Sequence, residues 1–172
     1  VLPVEESVTK TASKPDNELL FFNGIGGFSK DGREYVIQTG DKQQTPLPWV
    51  NIIANPTFGT LVSESGSSYT WFENAYEFRL SPWHNDPVID GSGEAFYMRD
   101  EETGTFWSPM PYPVNNGSYI TRHGFGYTTI EHHEEGIHSL VTLYVDLEAS
   151  IKFITIKLHN TSGRSRKLSA TG

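Results

Sequence analysis

The stretch AFYMRDEETGTFWSP, residues 95–109, decides the fold class of this chain. Met98 is expected on one face of an extended segment and its neighbours Tyr97 and Arg99 on the other, which is the period of two that a β-strand requires. The acidic run that follows ends at a glycine, the residue that most easily adopts the positive φ of a tight turn. A second short strand then runs to Pro109, whose missing N–H ends the pairing. The stretch therefore predicts a β-hairpin and no helix.

Similar strand patterns, separated by turns, recur along the rest of the chain. Segments 127–133, 136–146 and 152–159 alternate well enough to predict three consecutive antiparallel strands. About ten such strands, spaced by roughly 8–12 residues, predict an all-β fold of packed antiparallel sheets, that is, a β-sandwich. The candidate core residues of the last two strands are Ile137, Leu140, Leu143, Val145, Phe153, Ile154, Ile156 and Leu158.

The composition bounds the class of protein. The 172 residues suffice for one domain with a sizeable core. Hydrophobic residues make up only 36% of the chain, but aromatic residues reach 13%, and with 16 glycines and 10 prolines they favour a loop-rich β-domain. The absence of cysteine excludes a disulfide framework and thiolate metal sites. A net charge of −8 argues against a nucleic-acid partner, because a phosphate backbone attracts a face rich in Lys and Arg.

The two ends of the chain differ in character. Segment 1–18 is polar without an apolar period and is predicted to be a linker, which leaves residues 19–172 for the β-sandwich. The sequence starts at Val1 rather than Met and stops within a strand pattern. We therefore expect a piece of a longer polypeptide, with a sandwich that is incomplete at its C-terminus.

The loop EFRLSPWHNDP, residues 77–87, is the first candidate for a binding site. It combines a guanidinium, a flat ring, an amide and a carboxylate, supplied by Arg79, Trp83, Asn85 and Asp86. A ring can stack on the C–H face of a sugar while planar polar groups bind adjacent hydroxyls, so these residues fit a saccharide site. A structural role is the alternative, in which Arg79 pairs with Asp86 to pin the loop and Trp83 fills the core.

The segment RHGFGY, residues 122–127, is the second candidate. Its two glycines allow the backbone to approach a ligand or another sheet closely. Arg122 and His123, near a strand end, are placed to contact a hydroxyl or a phosphate of a substrate. The alternative is a bulge that turns the strand.

The sequence predicts neither a metal site nor a catalytic centre. His132, His133 and His138 are close in sequence, but adjacent strand residues face opposite ways, so the first two cannot easily share one ion. Hydrolysis or phosphorolysis of a glycoside needs a carboxylic acid in a cleft. The three acidic residues 100–102 lie in the predicted turn, where we expect them to be fully solvated.

Several segments, in this order, resemble the phosphorylase-like region of cyclic β-1,2-glucan synthases. They are ELLFFNGIGGFS (18–29), GREYV (32–36), PWVNIIAN (48–55), RLSPWHNDP (79–87), YMRDEETG (97–104), WSP (107–109) and RHGFGY (122–127). The chain is more distantly similar to the amino-terminal domain of cellobiose and chitobiose phosphorylases, in glycoside hydrolase family 94.

The resemblance implies an antiparallel β-supersandwich of the galactose-mutarotase type, followed in the family by a helical linker and an (α/α)6 barrel. It implies inverting phosphorolysis of a β-glucoside, in which inorganic phosphate attacks the anomeric carbon and a carboxylic acid protonates the leaving oxygen. In the family, that acid and the phosphate site belong to the barrel. We therefore expect a non-catalytic domain, with no catalytic residue or cofactor of its own and inorganic phosphate as co-substrate of the parent enzyme.

The same resemblance implies the partners of this domain. They are a β-glucan or gluco-oligosaccharide, the barrel of the same chain and a second copy in a homodimer, so that the domain shapes the carbohydrate site and the subunit interface. It also implies a cytoplasmic location, in a free enzyme or in the cytoplasmic region of an inner-membrane synthase. Two alternatives stay open, namely an independent carbohydrate-binding module and a purely structural scaffold.

Overall fold

The computed structural model describes residues 19–40, 43–84, 86, 88–91, 93–115 and 117–172. The predicted linker, 1–18, lies outside these residues. Within the described ranges the chain forms twelve strands and no helix, and no segment there is a helix long and apolar enough to cross a membrane. The strands are β1 (Gly26–Phe28), β2 (Glu34–Thr39), β3 (Val50–Ala54), β4 (Phe58–Ser63), β5 (Ser68–Phe72), β6 (Tyr97–Asp100), β7 (Phe106–Trp107), β8 (Tyr119–Gly124), β9 (Tyr127–Glu134), β10 (Ile137–Val145), β11 (Lys152–Asn160) and β12 (Leu168–Thr171).

The described strands form three sheets, and every pairing between them is antiparallel. The largest sheet has six strands in the order β1-β2-β8-β9-β10-β11, and the two smaller sheets have the orders β3-β4-β5 and β12-β6-β7. The main core lies between the six-stranded sheet and β3-β4-β5, and it contains Ile53, Phe58, Val62, Met110, Tyr119, Ile130, Val141, Leu143 and Val145. A second cluster joins the other small sheet to the start of β10 through Met98, Trp107 and Ile137. The predicted all-β antiparallel fold is confirmed.

The burial of β10 alternates strictly along its nine residues, as a strand with one face on the core requires. Ile137, Leu143 and Val145 are buried as predicted, together with Val141. The prediction for Leu140 is wrong. The buried residues of β10 have odd numbers, so Leu140 lies on the face of the strand that points away from the core.

The neighbouring strand, β11, is the last strand of the six-stranded sheet in the described part of the chain. Ile154 and Ile156 pack against the core, as predicted. Leu158 is 42% exposed, and Phe153 instead stacks on Tyr144, with the ring centroids 5.0 Å apart. Both were predicted as core residues, and both predictions are wrong.

The hairpin of residues 95–109 forms as predicted from β6, a tight turn and β7. The expectation that its acidic residues are all solvated is wrong for Asp100, which is fully buried, whereas Glu101 is exposed. One oxygen of Asp100 accepts the backbone N–H groups of Glu102 and Thr103, and the other binds the guanidinium of Arg166, with Nε at 2.7 Å. These contacts, led by the Glu102 hydrogen bond, lower the pKa of Asp100. The carboxylate therefore holds the turn and also ties it to the segment before β12.

Candidate functional site

In the first candidate loop, three aromatic rings and one guanidinium contact one another in sequence. We call this group, formed by Tyr69, Trp83, Arg79 and Tyr76, the Arg79 ladder. Trp83 stacks on Tyr69 of β5, with the centroids 4.7 Å apart and the planes at 8°. The Arg79 guanidinium carbon lies 5.4 Å from the Trp83 ring centroid and 5.1 Å from that of Tyr76. Each such cation–π contact at an exposed site contributes roughly 0.5–1 kcal/mol. The backbone bridge between Trp71 and Arg79 holds the loop against β5.

The ladder leaves one end open to solvent. Tyr76 is 74% exposed and Arg79 is exposed, whereas Trp83 is only partly exposed. Because Tyr69 covers one face of Trp83 and the guanidinium lies over the ring, a ligand would meet Tyr76 and Arg79 first. Trp83 does not fill the core, contrary to the structural alternative.

Asp86 has a local role beside the ladder. Its carboxylate accepts the backbone N–H groups of Val88 at 2.9 Å and Ile89 at 3.1 Å, and these bonds lower its pKa. Among the described residues Asp86 forms no ion pair with Arg79, so the pairing expected in the structural alternative is wrong. Asn85, the remaining predicted site residue of this loop, lies outside the described residues.

The second candidate pair, Arg122 and His123, lies on β8. Arg122 Nε is 3.6 Å from a carboxylate oxygen of Glu131 on the adjacent strand. His123 Nε2 lies 2.9 Å from the carbonyl oxygen of Trp49, so Nε2 donates, and Nδ1 accepts from the Thr128 hydroxyl at 3.0 Å. Burial lowers the pKa of His123, which favours this neutral form. Both ring nitrogens are thus engaged within the protein.

The turn that follows β8 explains the pattern of glycines in segment 122–127. Strand pairing continues without interruption to Gly124 opposite Tyr127, so the expected bulge is wrong. A Cβ at position 124 would lie 2.4 Å from the Tyr127 ring, which is too close for any side chain. Position 124 therefore requires glycine. Gly126 has φ of +83°, which the two-residue turn needs.

Asn51 of β3 joins this turn to the smaller sheet. Its side-chain N–H groups donate to the carbonyl oxygens of Gly124 at 3.0 Å and Tyr127 at 2.9 Å. Together with the contact between His123 and Trp49, these bonds connect segments 48–55 and 122–127. In the described part of the chain, no hydrogen bond, ion pair or ring contact joins the Arg79 ladder to Arg122 or His123, so the structure does not unite the two predicted groups in one site.

A cavity of about 200 Å³, which we call the Glu64 cavity, was not predicted from the sequence. Its lining includes Thr39 at the end of β2, Glu64 just after β4 and Asp90 in the loop before β6. Among the described residues, the lining consists of Thr39, Gln44, Thr45, Leu47, Pro48, Glu64, Ser65, Val88, Ile89, Asp90, Pro111, Tyr112 and Asn115. The acidic turn 64–67 resembles any solvated turn in sequence, and the residues that enclose it come from distant segments. The sequence therefore carried no local signal for this cavity.

Two carboxylates are fixed in the Glu64 cavity. Glu64 is 6% exposed and accepts hydrogen bonds from the Thr45 hydroxyl and from the backbone N–H of Trp49 at 2.7 Å. Burial raises the pKa of Glu64, and the negative charge of Asp90 adds to the rise. One oxygen of Asp90 accepts the hydroxyl of Ser65 at 2.5 Å and that of Ser63 at 2.7 Å.

The histidines near the β9–β10 turn face different surroundings. His132 is buried and stacks on Tyr119 with 4.0 Å between centroids, while its neighbour His133 is half-buried and contacts the Thr161 hydroxyl. The prediction that these two side chains point opposite ways is confirmed. Among the described residues, no group of three or more His, Asp or Glu side chains is arranged to hold a metal ion.

The fold and these sites define an antiparallel β-sandwich domain with an aromatic loop site and an acidic cavity. Residues 33–172 match the family model described as "Glycosyl hydrolase 94, supersandwich domain", and the chain belongs to this family. The resemblance stated from the sequence motifs is thereby confirmed.

The relatives are much longer proteins. The chain is 37% identical over 178 residues to the cyclic beta-(1,2)-glucan synthase NdvB of Rhizobium meliloti (strain 1021), covering 100% of this chain and 6% of that protein. It is 31% identical over 151 residues to the N,N'-diacetylchitobiose phosphorylase of Vibrio furnissii, covering 86% and 18% of the two chains. It is 36% identical over 154 residues to the solabiose phosphorylase of Paenibacillus borealis, covering 84% and 19%. The chain thus spans less than a fifth of each of these relatives.

Proposed function

We propose that this chain is a non-catalytic domain of a larger β-glucoside phosphorylase or cyclic β-glucan synthase, and that it helps to shape the carbohydrate site of that enzyme. Membership of the supersandwich family supports this, as do relatives named for a glucan synthase and for disaccharide phosphorylases. The small share of each relative that the chain spans fits one domain among several.

In this proposal, the reaction takes place on the rest of the enzyme. Inorganic phosphate is the co-substrate, and an (α/α)6 barrel of the same polypeptide supplies the carboxylic acid that protonates the leaving oxygen. The supersandwich domain binds and orients the saccharide, contacts the barrel, and contributes to the interface of a homodimer. The enzyme works in the cytoplasm, either free or as the cytoplasmic part of an inner-membrane synthase.

The single observation that carries the carbohydrate role is the exposed end of the Arg79 ladder. The Tyr76 side chain is 74% exposed, and the guanidinium of Arg79, with its N–H donors, lies over the Tyr76 ring at 5.1 Å from the centroid. A pyranose presents C–H groups to a ring and hydroxyls to a guanidinium, so the two side chains match one sugar unit. Trp83 stacks on the buried Tyr69, and its ring also contacts the Arg79 guanidinium, which fixes the position of that cation.

The test is a titration of the 172-residue chain with β-1,2-gluco-oligosaccharides, followed by tryptophan fluorescence. Tyr76→Ala, Arg79→Ala and Trp83→Ala should each weaken binding about tenfold, which corresponds to about 1.4 kcal/mol. Phe125→Ala is the matched control, because Phe125 is also an exposed ring, at 86%, but lies in the β8–β9 turn.

The outcomes separate the three classes of function. Weak binding that the ladder variants reduce and the control retains supports a domain that contributes to a larger site. Micromolar binding by the chain alone would favour an independent carbohydrate-binding module. No binding at millimolar saccharide would leave a structural scaffold and refute the carbohydrate role.

A further inference from the structure

The sheet β3-β4-β5 is apolar on the side that points away from the main core. The strand register places the outward residues of the three strands side by side, whereas Ile53, between two of them on β3, belongs to the main core. The outward residues are Val50, Ile52, Ala54, Gly59, Leu61, Ser63, Tyr69 and Trp71, and none of them is charged. We call this surface the outer apolar face. Val50 is 46% exposed and Ile52 is 64% exposed, although the side of an antiparallel sheet that meets water normally carries polar residues.

The outer apolar face continues into the Arg79 ladder. The Trp71 ring lies directly over Gly59, since a Cβ there would be 2.3 Å from it, and its centroid is 5.3 Å from that of Tyr69. Tyr69 is the inner ring of the ladder, stacked on Trp83. Arg79 pairs with Trp71 through an antiparallel backbone bridge, so the two side chains leave the sheet on the same side. The proposed saccharide position therefore lies at the rim of this face.

The size of the outer apolar face indicates what covers it. Contiguous exposed apolar surfaces usually mark a contact with another molecule or domain. The exposed side chains here amount to on the order of a few hundred Å², less than the roughly 800 Å² per partner that two separate molecules bury in a stable complex. A domain of the same polypeptide needs less area, because the covalent link holds it at a high effective concentration. Segment 1–18 is polar without an apolar period and does not match such a face.

We propose that this domain docks through the outer apolar face against the helical barrel of the same enzyme, which meets it with an uncharged, apolar helix surface. The proposal rests on the proposed function, which places the barrel on the same polypeptide, and each of the relatives is more than five times as long as the part that this chain matches. A sugar on Tyr76 and Arg79 then lies at the boundary between the two domains. That position suits the proposed reaction, in which a carboxylic acid of the barrel must reach the same saccharide.

Hydroxyl-radical footprinting, which measures the solvent accessibility of individual side chains, is the experiment. The oxidation rates of Ile52 and Trp71 are compared between the 172-residue chain and the full-length enzyme that contains it. Both rates should be lower by about threefold or more in the full-length enzyme. Phe125 and Leu147 are the internal controls, because each is 86% exposed but lies in the β8–β9 or the β10–β11 turn, and their rates should change little.

A charge on the outer apolar face tests the docking within the full-length enzyme alone. Ile52→Lys should raise the oxidation rate of Trp71 about twofold or more, because the lysine separates the two apolar surfaces. Leu147→Lys is the matched control, since it makes a similar change at an exposed position outside this face, and it should leave the Trp71 rate unchanged. Ile52→Thr keeps a β-branched side chain suited to a strand and should have a smaller effect in the same direction.

The outcomes separate this docking surface from the carbohydrate role. Equal oxidation of Ile52 and Trp71 in both forms would overturn the inference, as would a dimer of the 172-residue chain that Ile52→Lys dissociates in sedimentation, because a second copy would then cover the face. Protection of Trp71 that appears only when saccharide is added would overturn it too. If the face is protected but the ladder variants leave saccharide binding unchanged, the docking surface stands and the carbohydrate role fails. If those variants weaken binding and the face is unprotected, the reverse holds.

Discussion

Replacement of Asn51 tests how the two layers of the sandwich are held together. Its amide donates to the carbonyl oxygens of Gly124 and Tyr127, at 3.0 and 2.9 Å, from a strand of the opposite sheet. Each hydrogen bond contributes about 1 kcal/mol net, and the same amide nitrogen also lies 3.2 Å from the Thr128 hydroxyl oxygen. We expect Asn51→Ala to lower the free energy of unfolding by about 2–3 kcal/mol. For a domain of this size, that corresponds to a melting temperature lower by roughly 5–10 °C.

Asn51→Asp sharpens the test, because it keeps the shape but turns an acceptor and a negative charge toward the two carbonyl oxygens. It should be more destabilising than Asn51→Ala. The assay is urea unfolding at pH 7, followed by tryptophan fluorescence and by circular dichroism. Asn74→Ala is the control, since Asn74 is exposed and its side chain accepts the backbone N–H groups of Tyr76 and Glu77 in its own loop. A loss below about 0.5 kcal/mol for Asn51→Ala, or an aspartate no worse than alanine, would refute the reasoning.

Two further changes act on the β8–β9 hairpin. Gly124→Ala should lower the free energy of unfolding by about 1–3 kcal/mol, since its Cβ would overlap the Tyr127 ring. Gly91→Ala, where a Cβ meets nothing closer than 3.7 Å, serves as the control in the same urea assay, and equal losses would contradict the prediction. For His123, whose folded-state pKa is lowered, the unfolded chain binds the proton more readily, so stability should fall as the pH drops below about 6.5 toward the folded-state value. Urea midpoints between pH 7.5 and 5.5 should decline more steeply for the wild type than for His123→Gln, and parallel declines would count against this role.

The fold class could be predicted because strand patterning is a local property. The alternation along β10 and the glycine turns on either side of β9 place the strands to within about a residue or two. The phase of a strand is harder, because a sequence with apolar residues at both parities, such as Leu140 beside Val141, does not show which parity faces the core. That choice is made by the sheet packed against it.

The candidate sites differ in the same way, according to whether their residues are close together in the sequence or only in the folded structure. Arg79 and Trp83 are neighbours in one loop, so their association was visible in the sequence, and the structure brings them together. Thr39, Glu64 and Asp90 meet only after three segments have packed, and none of them belongs to a recognisable motif. The burial of Asp100 has a related cause, since its partner Arg166 lies 66 residues further along the chain and gives no local signal in the sequence.

That separation sets an order of assembly for the hairpin formed by β6 and β7. During synthesis, Asp100 leaves the ribosome well before Arg166, and at roughly 5–20 residues per second the interval is about 3–13 seconds. Throughout that time the carboxylate must stay hydrated, because its cation does not yet exist. The aromatic hairpin can form early, but the sheet that contains it can close only when the segment carrying Arg166 has been made.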